Sequence, residues 1–550
     1  MYTYIRTSRR RVGRRLRIEV CIRPCVTTHT RRARASTPHS SRARASMRPV
    51  EASRAIAFAR VRGRSRARGL GTHADARGGF QAMASTMGRR TTTATRALGG
   101  AQGAFGVAVV AGAWYAAMVV MTRTRTRSEV RVTGAGRSAA ATAALDACAE
   151  LLNRGYDAVS WLTNRHVSTI LSSLLRRDLD VKYQREVVTM PDGGHATLDW
   201  PLSVDGDVED EAFDSGVEGD ACEIERRGPP YVNRVFDQSA LVRRRLAAHQ
   251  AGIAADAPVL VLMSGIAGGS HDKYLKHFLK RARARGFRCV AFNCRGTSES
   301  PLTTPQFYSA SYTGDIRHVV STLHERFPNA PLFAIGWSLG ANILTNFLGE
   351  EGENAKLDGA AALCNPFDLN KCDTALESGF FGKIYSRAMA SNMRKLFAPH
   401  ENLFAGLPNY KPELVKAAKT VRDFDEAITR VTFGFPSVDA YYEYSGSKNR
   451  IADVRVPLMA VQALDDPIAV ADSIPRKAIE NNEHIILLET ETGGHLAWEA
   501  GPEAPFGAPW PDAVVMRFFE ALVDAKRETK FAPVASEVAT PIDVGTSPAR

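Results

Sequence analysis

The chain has 550 residues, 44% of them hydrophobic, which is enough for a large folded core. Its net charge of +14 is uneven: the first hundred residues hold 24 arginines and three acidic residues, a net of +21, so the other 450 residues carry −7. The basic charge therefore gives no support for nucleic-acid binding by the folded part. The eight cysteines include no Cys-x-x-Cys pair, so neither a zinc site nor a disulfide framework is indicated.

Residues 1–97 are rich in Arg, Ser, Thr and Ala and poor in acidic residues. A segment without a sustained apolar period cannot bury a core, and this composition is typical of organelle transit peptides. We therefore predict a disordered targeting segment for a chloroplast or mitochondrion. A basic disordered tail, or a translation start at Met83 or Met87, would give the same pattern.

Residues 98–121 contain no charged side chain and are long enough to cross a bilayer as a helix. Arginines flank the run on both sides, which argues against burial in a soluble core and leaves the orientation open. The sequence predicts a single-pass membrane protein, with the endoplasmic reticulum or plasma membrane as alternatives to an organelle.

The next segments predict a folded domain over residues 143–530. Residues 122–142 resemble a small-residue linker, and a helical pattern follows from Ala143 to Arg177. The strongly acidic run at 203–228 is typical of a solvated surface insertion. Residues 531–550 are a polar tail, for which we predict disorder.

From Pro258 onward, short apolar runs alternate with amphipathic stretches. The predicted strands are PVLVLM, FRCVAFN, PLFAIG, LDGAAALC, VPLMAVQA and EHIILLET, and the predicted helices are DKYLKHFLKRARARG, TGDIRHVVSTLHERF, LGANILTNFLGEEG and PWPDAVVMRFFEALVDAKR. Repeated strand–helix units predict an α/β fold with a mostly parallel sheet and helices on both faces. Between residues 370 and 449 the strand pattern lapses, which predicts a helical lid.

Ser338 lies between Gly336 and Gly340, where an apolar strand meets a helix. This setting is the one that a nucleophile elbow requires, because small residues allow the strained turn and the helix N-terminus favours negative charge near the serine. The alternative is a small residue in a tight turn.

A serine nucleophile needs a histidine base and a carboxylate that orients it, and in such elbow folds the carboxylate precedes the histidine in the chain. Asp466 follows a predicted strand and Asp465 is the second choice. His495, in a Gly-Gly turn after the next strand, is the predicted base. Two other downstream histidines fit less well, His400 in the lid and His484 at the start of a strand.

The oxyanion that forms in acyl transfer needs two aimed donors. We predict the backbone N–H of Leu339, directly after the serine, and that of Ile266 in the glycine-rich loop SGIAGGS. Because amides supply this charge complementarity, the predicted chemistry requires no cofactor and no metal.

Five motifs together carry a resemblance to the membrane-anchored abhydrolase-domain proteins: GGSHDKYLKHFLKRARARGFRCVAFNCRG, TPQFYSASYTGDIRHVV, GWSLGANIL, TVRDFDEAITR and GGHLAW. That family includes plant embryogenesis-associated hydrolases, animal phospholipid and monoacylglycerol lipases and yeast medium-chain ester synthases. The resemblance implies an α/β-hydrolase fold and a triad at Ser338, Asp466 and His495. Two positions depart from the usual pattern, Ser168 within NRHVSTIL and Ser264 within MSGIAGG, and we expect them to affect substrate choice.

The sequence therefore predicts a serine ester hydrolase whose partners are a lipid acyl ester and, through the N-terminal helix, a membrane; no nucleic acid is expected. Acyl transfer to an alcohol is the alternative reaction, since it would use the same acyl-enzyme. A catalytically silent scaffold would lack a triad residue, and none is missing here.

Overall fold

The computed structural model describes residues 7–12, 15–20, 124–204, 252–501 and 503–531. The predicted transmembrane segment 98–121, all but the first two residues of the acidic run 203–228, and the tail after Phe531 lie outside these ranges. Among the described residues, no helix is long and apolar enough to cross a membrane.

The described residues form a nine-stranded sheet and two small two-stranded sheets. The strands are β1 (Thr7–Val12), β2 (Arg15–Val20), β3 (Arg125–Ser128), β4 (Val130–Ala135), β5 (Tyr156–Val159), β6 (Val181–Thr189), β7 (His195–Val204), β8 (Val259–Met263), β9 (Arg288–Asn293), β10 (Leu332–Trp337), β11 (Gly359–Leu363), β12 (Leu458–Ala463) and β13 (Ile485–Thr490). The large sheet has the order β4-β13-β12-β11-β10-β8-β9-β7-β6. Its central strands, from β13 to β9, are parallel, whereas β4 at one edge, β6 at the other edge and β7 next to β6 pair antiparallel.

Helices connect the strands and cover the sheet. They are α1 (Ala139–Ala147), α2 (Ala149–Arg154), α3 (Arg165–Leu175), α4 (Lys273–Arg283), α5 (Gly314–Arg326), α6 (Leu339–Glu351), α7 (Leu369–Glu377), α8 (Gly379–Phe397), α9 (Pro412–Ala417), α10 (Val421–Phe424), α11 (Arg430–Thr432), α12 (Val438–Ser445), α13 (Arg476–Asn481) and α14 (Pro511–Phe531). A π-helical turn, Asp425–Thr429, joins α10 to α11.

The core lies on both faces of the large sheet. Along β8, Val259 and Val261 pack with α5 and α6 on one face, while Leu260 and Leu262 pack with α4 and α14 on the other. Strands buried on both faces are typical of parallel sheets between helical layers, which explains their continuous apolar sequences. The α/β fold class and the six predicted parallel strands are thereby confirmed.

The predicted linker at 122–142 is corrected by the structure. It contains β3 and β4, and β4 pairs with β13 at the edge of the large sheet. The helical pattern expected from Ala143 is interrupted at Gly155, where φ is +70° and β5 follows. Edge strands this short contain too few residues for an alternating pattern to be evident, and their pairing with distant segments decides their structure.

The N-terminal strands β1 and β2 form an antiparallel hairpin in which Val12 pairs with Arg15. Residues 7–12 and 15–20 therefore differ from the disorder expected over 1–97. Local pairing across two intervening residues needs no core, and Val, Leu and Ile in TSRRRV and RLRIEV favour extended backbone.

Between β11 and β12 the chain is helical, with α7 to α12 and no strand between residues 369 and 449. These helices carry an aromatic cluster of their own, which includes Phe397, Phe404 and Phe424. The insertion follows the carboxyl end of β11, next to the end of β10 where Ser338 lies.

Candidate active site

Ser338 occupies a sharp turn between β10 and α6. Its φ of +53° and ψ of −118° are unusual for a residue with a side chain, and its N–H donates to the Leu363 carbonyl at 2.9 Å. A Cβ on Gly336 would lie 2.6 Å from the Gly340 carbonyl carbon, and one on Gly340 would lie 2.5 Å from the Met263 carbonyl oxygen. The two glycines are therefore required by the close approach of strand, turn and helix.

The structure brings the serine, the predicted base and the predicted carboxylate into one hydrogen-bonded line. His495 Nε2 lies 3.0 Å from Ser338 Oγ, and His495 Nδ1 lies 2.8 Å from Asp466 Oδ2. Asp466 Oδ1 also accepts hydrogen bonds from the N–H groups of Ile468 and Ala469, at 2.8 and 2.9 Å. These two backbone hydrogen bonds hold the Asp466 carboxylate in the position from which it orients the imidazole.

The turn that carries His495 is held by two side chains. The His495 N–H donates to Thr169 Oγ1 at 2.9 Å, and the Gly494 N–H donates to Asp465 Oδ1 at 2.9 Å. Asp465 thus contacts the backbone of the turn, and burial raises its pKa to about 6. A Cβ on Gly494 would lie 2.6 Å from Ser168 Oγ, so α3 lies directly against this turn.

The remaining histidine candidates lie elsewhere. His400 is in a 3-10 turn of the helical insertion, and His484 directly precedes β13, at the end of the sheet opposite to Ser338. Neither contacts the serine.

The two residues predicted to supply the oxyanion donors, Leu339 and Ile266, line the same cavity as Ser338. In the described part of the chain, neither the Leu339 nor the Ile266 N–H has a hydrogen-bond acceptor. The neighbours of Ile266 are occupied, since the Gly265 N–H donates to the Tyr274 hydroxyl at 3.1 Å and the Ala267 N–H to the Tyr308 hydroxyl at 2.9 Å. The loop therefore leaves one donor free between two that are fixed, which suits an anion-binding position.

A cavity opens in front of Ser338 and encloses about 720 Å³ of empty space, part of it open to solvent. Ile266 and Leu339 contribute to its wall next to the serine. Apolar side chains from the helical insertion and neighbouring loops form much of the remaining wall: Pro366, Leu369, Leu376, Met389, Met393, Val421 and Ile468. A largely apolar cavity beside Ser338 suits an acyl chain.

The ligand atoms of Cys364, Asp466 and His495 lie within 4.8 Å of one another, which is close enough to coordinate one metal ion. The imidazole and carboxylate already bond each other, and the Cys364 Sγ accepts a hydrogen bond from the Leu496 N–H at 3.3 Å. Burial, with the adjacent Asp466 carboxylate, raises the pKa of the thiol well above its usual range, which opposes the thiolate that a metal needs. The three side chains therefore fit a hydrogen-bonded cluster better than a metal site.

Several supporting residues were missed from the sequence. Thr169 lies in the segment NRHVSTIL, so the family resemblance was the signal that could have found it. The brace formed by Tyr274 and Tyr308 had no recognisable sequence signal, because each hydroxyl meets a backbone N–H that only the fold brings near.

Comparisons with known proteins agree with this architecture. The alpha/beta hydrolase fold family matches residues 258–502. The embryogenesis-associated protein EMB8 of Picea glauca is 41% identical over 392 residues, which cover 71% of this chain and 77% of that protein. In Saccharomyces cerevisiae, a monoacylglycerol lipase is 32% identical over 61% of this chain and 74% of its own length, and the medium-chain fatty acid ethyl ester synthase/esterase 2 is 33% identical over 58% and 75%. The chain therefore belongs to the alpha/beta hydrolase family, in a group with lipase and esterase relatives.

Proposed function

We propose that this hydrolase is a serine carboxylic-ester hydrolase that cleaves acyl esters of membrane-derived lipids, such as monoacylglycerol or phospholipid. The observation that carries the proposal is the line Ser338–His495–Asp466 at the wall of a largely apolar cavity. The names of the yeast relatives, a monoacylglycerol lipase and an ester synthase/esterase, agree with this class of substrate.

In the acylation step, His495 Nε2 removes the proton from Ser338 Oγ as that oxygen attacks the ester carbonyl. The negative charge that develops on the carbonyl oxygen is stabilised by the N–H groups of Leu339 and Ile266. The imidazolium then returns the proton to the departing alcohol. Asp466 holds Nδ1–H and thereby keeps Nε2 available as the acceptor.

In the deacylation step, water takes the place of the alcohol. His495 accepts a proton from the water, whose oxygen attacks the acyl-enzyme, and the serine leaves with the proton restored. The products are a fatty acid and free enzyme. No step requires a metal or a cofactor.

Acyl transfer to an alcohol is the second candidate, and it is favoured by the similarity to the ethyl ester synthase/esterase. Water and alcohol would compete for the same acyl-enzyme. Purified protein supplied with a monoacylglycerol in water containing ethanol distinguishes the two: hydrolysis yields fatty acid, whereas a transferase yields mainly the ethyl ester. Replacing Ser338 by Ala should abolish both products.

We also propose that residues 98–121 cross a membrane and keep the enzyme beside its substrate, based on the length and apolarity of this segment. The full chain should then remain in the membrane pellet after carbonate washing. Removal of residues 98–121 should release it and should preserve activity on a soluble short-chain ester. Full release of the intact chain by salt alone would contradict the proposal. Deletions should end before Arg125, since β3 and β4 belong to the fold.

A further inference from the structure

A polar cluster in the cavity has no role in the chemistry described above. It consists of Asp425 and Thr429, at the two ends of the π-helical turn, and Tyr442 of α12, and we name it the Asp425 cluster. Thr429 Oγ1 donates to Asp425 Oδ1 at 2.6 Å, and the Tyr442 hydroxyl donates to Asp425 Oδ2 at 2.9 Å. All three residues line the cavity. Single π-helical turns inside helices are frequent at functional sites.

Asp425 is buried, with 6% of its surface exposed, and among the described residues no Lys or Arg forms an ion pair with it. The nearby Arg422 instead binds Asp373 at 2.8 Å and Asp439 at 2.6 Å. Burial raises the pKa of Asp425 to about 6, and the Asp373 carboxylate also raises it. A buried carboxylate without a cation needs further hydrogen-bond donors.

The hydrogen-bonding capacity of Asp425 is only half used. A carboxylate offers about four acceptor positions, and Thr429 and Tyr442 occupy two of them. A ligand that enters the cavity can therefore donate to the others. The cavity wall carries two carboxyl groups, Asp373 and Asp425. A hydroxyl is a neutral donor to such a wall, whereas a phosphate would bring negative charge close to both groups in a poorly screened site.

The cavity wall thus combines apolar side chains with one polar cluster. The apolar wall, including Met389 and Met393 of α8, suits an acyl chain, and the Asp425 cluster suits adjacent hydroxyl groups. A monoacylglycerol has both parts in one molecule. An alkyl ester of the same acid lacks the hydroxyls, and a lysophospholipid carries a phosphate near them.

We propose that Asp425 binds the free hydroxyls of the alcohol part of the substrate and so makes neutral polyol esters, the monoacylglycerol class, the preferred substrates over alkyl esters and lysophospholipids with the same acyl chain. This inference rests on the proposed ester hydrolase function and specifies its substrate. Asp425 is here a specificity-determining residue, and it takes no part in proton transfer at Ser338.

The test compares kcat/KM for three substrates with one acyl chain: the monoacylglycerol, the ethyl ester and the lysophospholipid. The full-length protein should prefer the monoacylglycerol. In Asp425→Asn the value for the monoacylglycerol should fall about 10- to 100-fold, the usual effect of losing a hydrogen bond to a charged group, while the ethyl ester changes by less than about threefold. Asp439→Asn is the matched control, because Asp439 is an exposed carboxylate outside the cavity lining, and it should leave the ratio unchanged.

A measurement on the unaltered protein guards against misfolding of the variant. A 1-O-alkylglycerol ether, which cannot be cleaved, should inhibit hydrolysis of a short soluble ester at least tenfold more strongly than the alkyl methyl ether of equal length. Equal inhibition by the two ethers, equal loss for all three substrates in Asp425→Asn, or a preference for the lysophospholipid would each overturn the inference. Failure of the proposed function is distinct, because it would appear as ester hydrolysis that persists in Ser338→Ala.

Discussion

Replacing Asp466 by Asn should nearly abolish turnover, and the geometry explains why so small a change has so large an effect. Asp466 Oδ1 accepts two backbone N–H groups, those of Ile468 and Ala469. In the variant only the amide oxygen can occupy that position, since an NH₂ group there would face two donors. The NH₂ group must then face His495 Nδ1, where the carboxylate oxygen Oδ2 now lies at 2.8 Å.

An NH₂ group donates, so Nδ1 becomes an acceptor and the ring proton moves to Nε2. Nε2 then faces Ser338 Oγ as a donor and cannot remove its proton. The same substitution in the buried aspartate of a serine protease lowers kcat about 10⁴-fold, which corresponds to about 5 kcal/mol of activation free energy. We expect a loss of this size here, without loss of fold.

The assay is steady-state hydrolysis of a short soluble ester, with circular dichroism to verify folding. Asp465→Asn is the matched control: its amide oxygen can still accept the Gly494 N–H, so kcat should fall less than tenfold. If Asp465→Asn were the more damaging change, the orienting role would belong to Asp465. Near-normal turnover in Asp466→Asn would refute the tautomer argument.

Three further outcomes are expected. Thr169→Val should lower kcat/KM about tenfold, because it leaves the His495 N–H without an acceptor, which costs roughly 1–3 kcal/mol. Thr169→Ser keeps the hydroxyl and should restore most of the lost kcat/KM. Equal defects in the two variants would show that the hydroxyl is not what matters. Gly340→Ala should reduce the free energy of unfolding by about 1–3 kcal/mol in chemical denaturation and should lower activity, because the new Cβ would clash with the Met263 carbonyl. Gly406→Ala places its Cβ in open space and should change neither the stability nor the activity. Burial raises the pKa of Glu499 to about 7, so this residue makes the free energy of unfolding fall as the pH rises from about 4.5 to 7. In urea unfolding, Glu499→Gln should therefore stabilise the protein more at pH 8 than at pH 4.5. An equal effect at both pH values would contradict this.

The parallel part of the fold could be predicted because its strands are buried on both faces. Each of the six is a short, continuous apolar run that ends at a turn, and each is followed or preceded by an amphipathic helix. The antiparallel strands β4, β6 and β7 lack that signature. The edge strands β4 and β6 are only partly buried, and β7, although mostly buried, pairs with β6 and β9 rather than continuing the strand–helix alternation. Their existence follows from the assembled sheet rather than from local sequence.

The candidate site likewise contains some residues that local sequence predicts and others that only the folded structure brings together. The glycines around Ser338 and the chain order of Asp466 and His495 are local or topological features, and they could be read directly from the sequence. Thr169 meets His495 across 326 residues, and Asp425 joins the cavity only because the helical insertion folds over the sheet. No spacing rule connects such positions, so only the structure brings them together.

Covalent labelling is the most direct measurement of whether Ser338 is the nucleophile. The full-length protein is treated with a fluorophosphonate and digested, and the modified peptide is identified by mass spectrometry, in parallel with Ser338→Ala. We expect a single adduct on Ser338 in the unaltered protein and none in the variant, with ester hydrolysis lost to the same extent. An adduct on another residue, or labelling and hydrolysis that persist in Ser338→Ala, would contradict it.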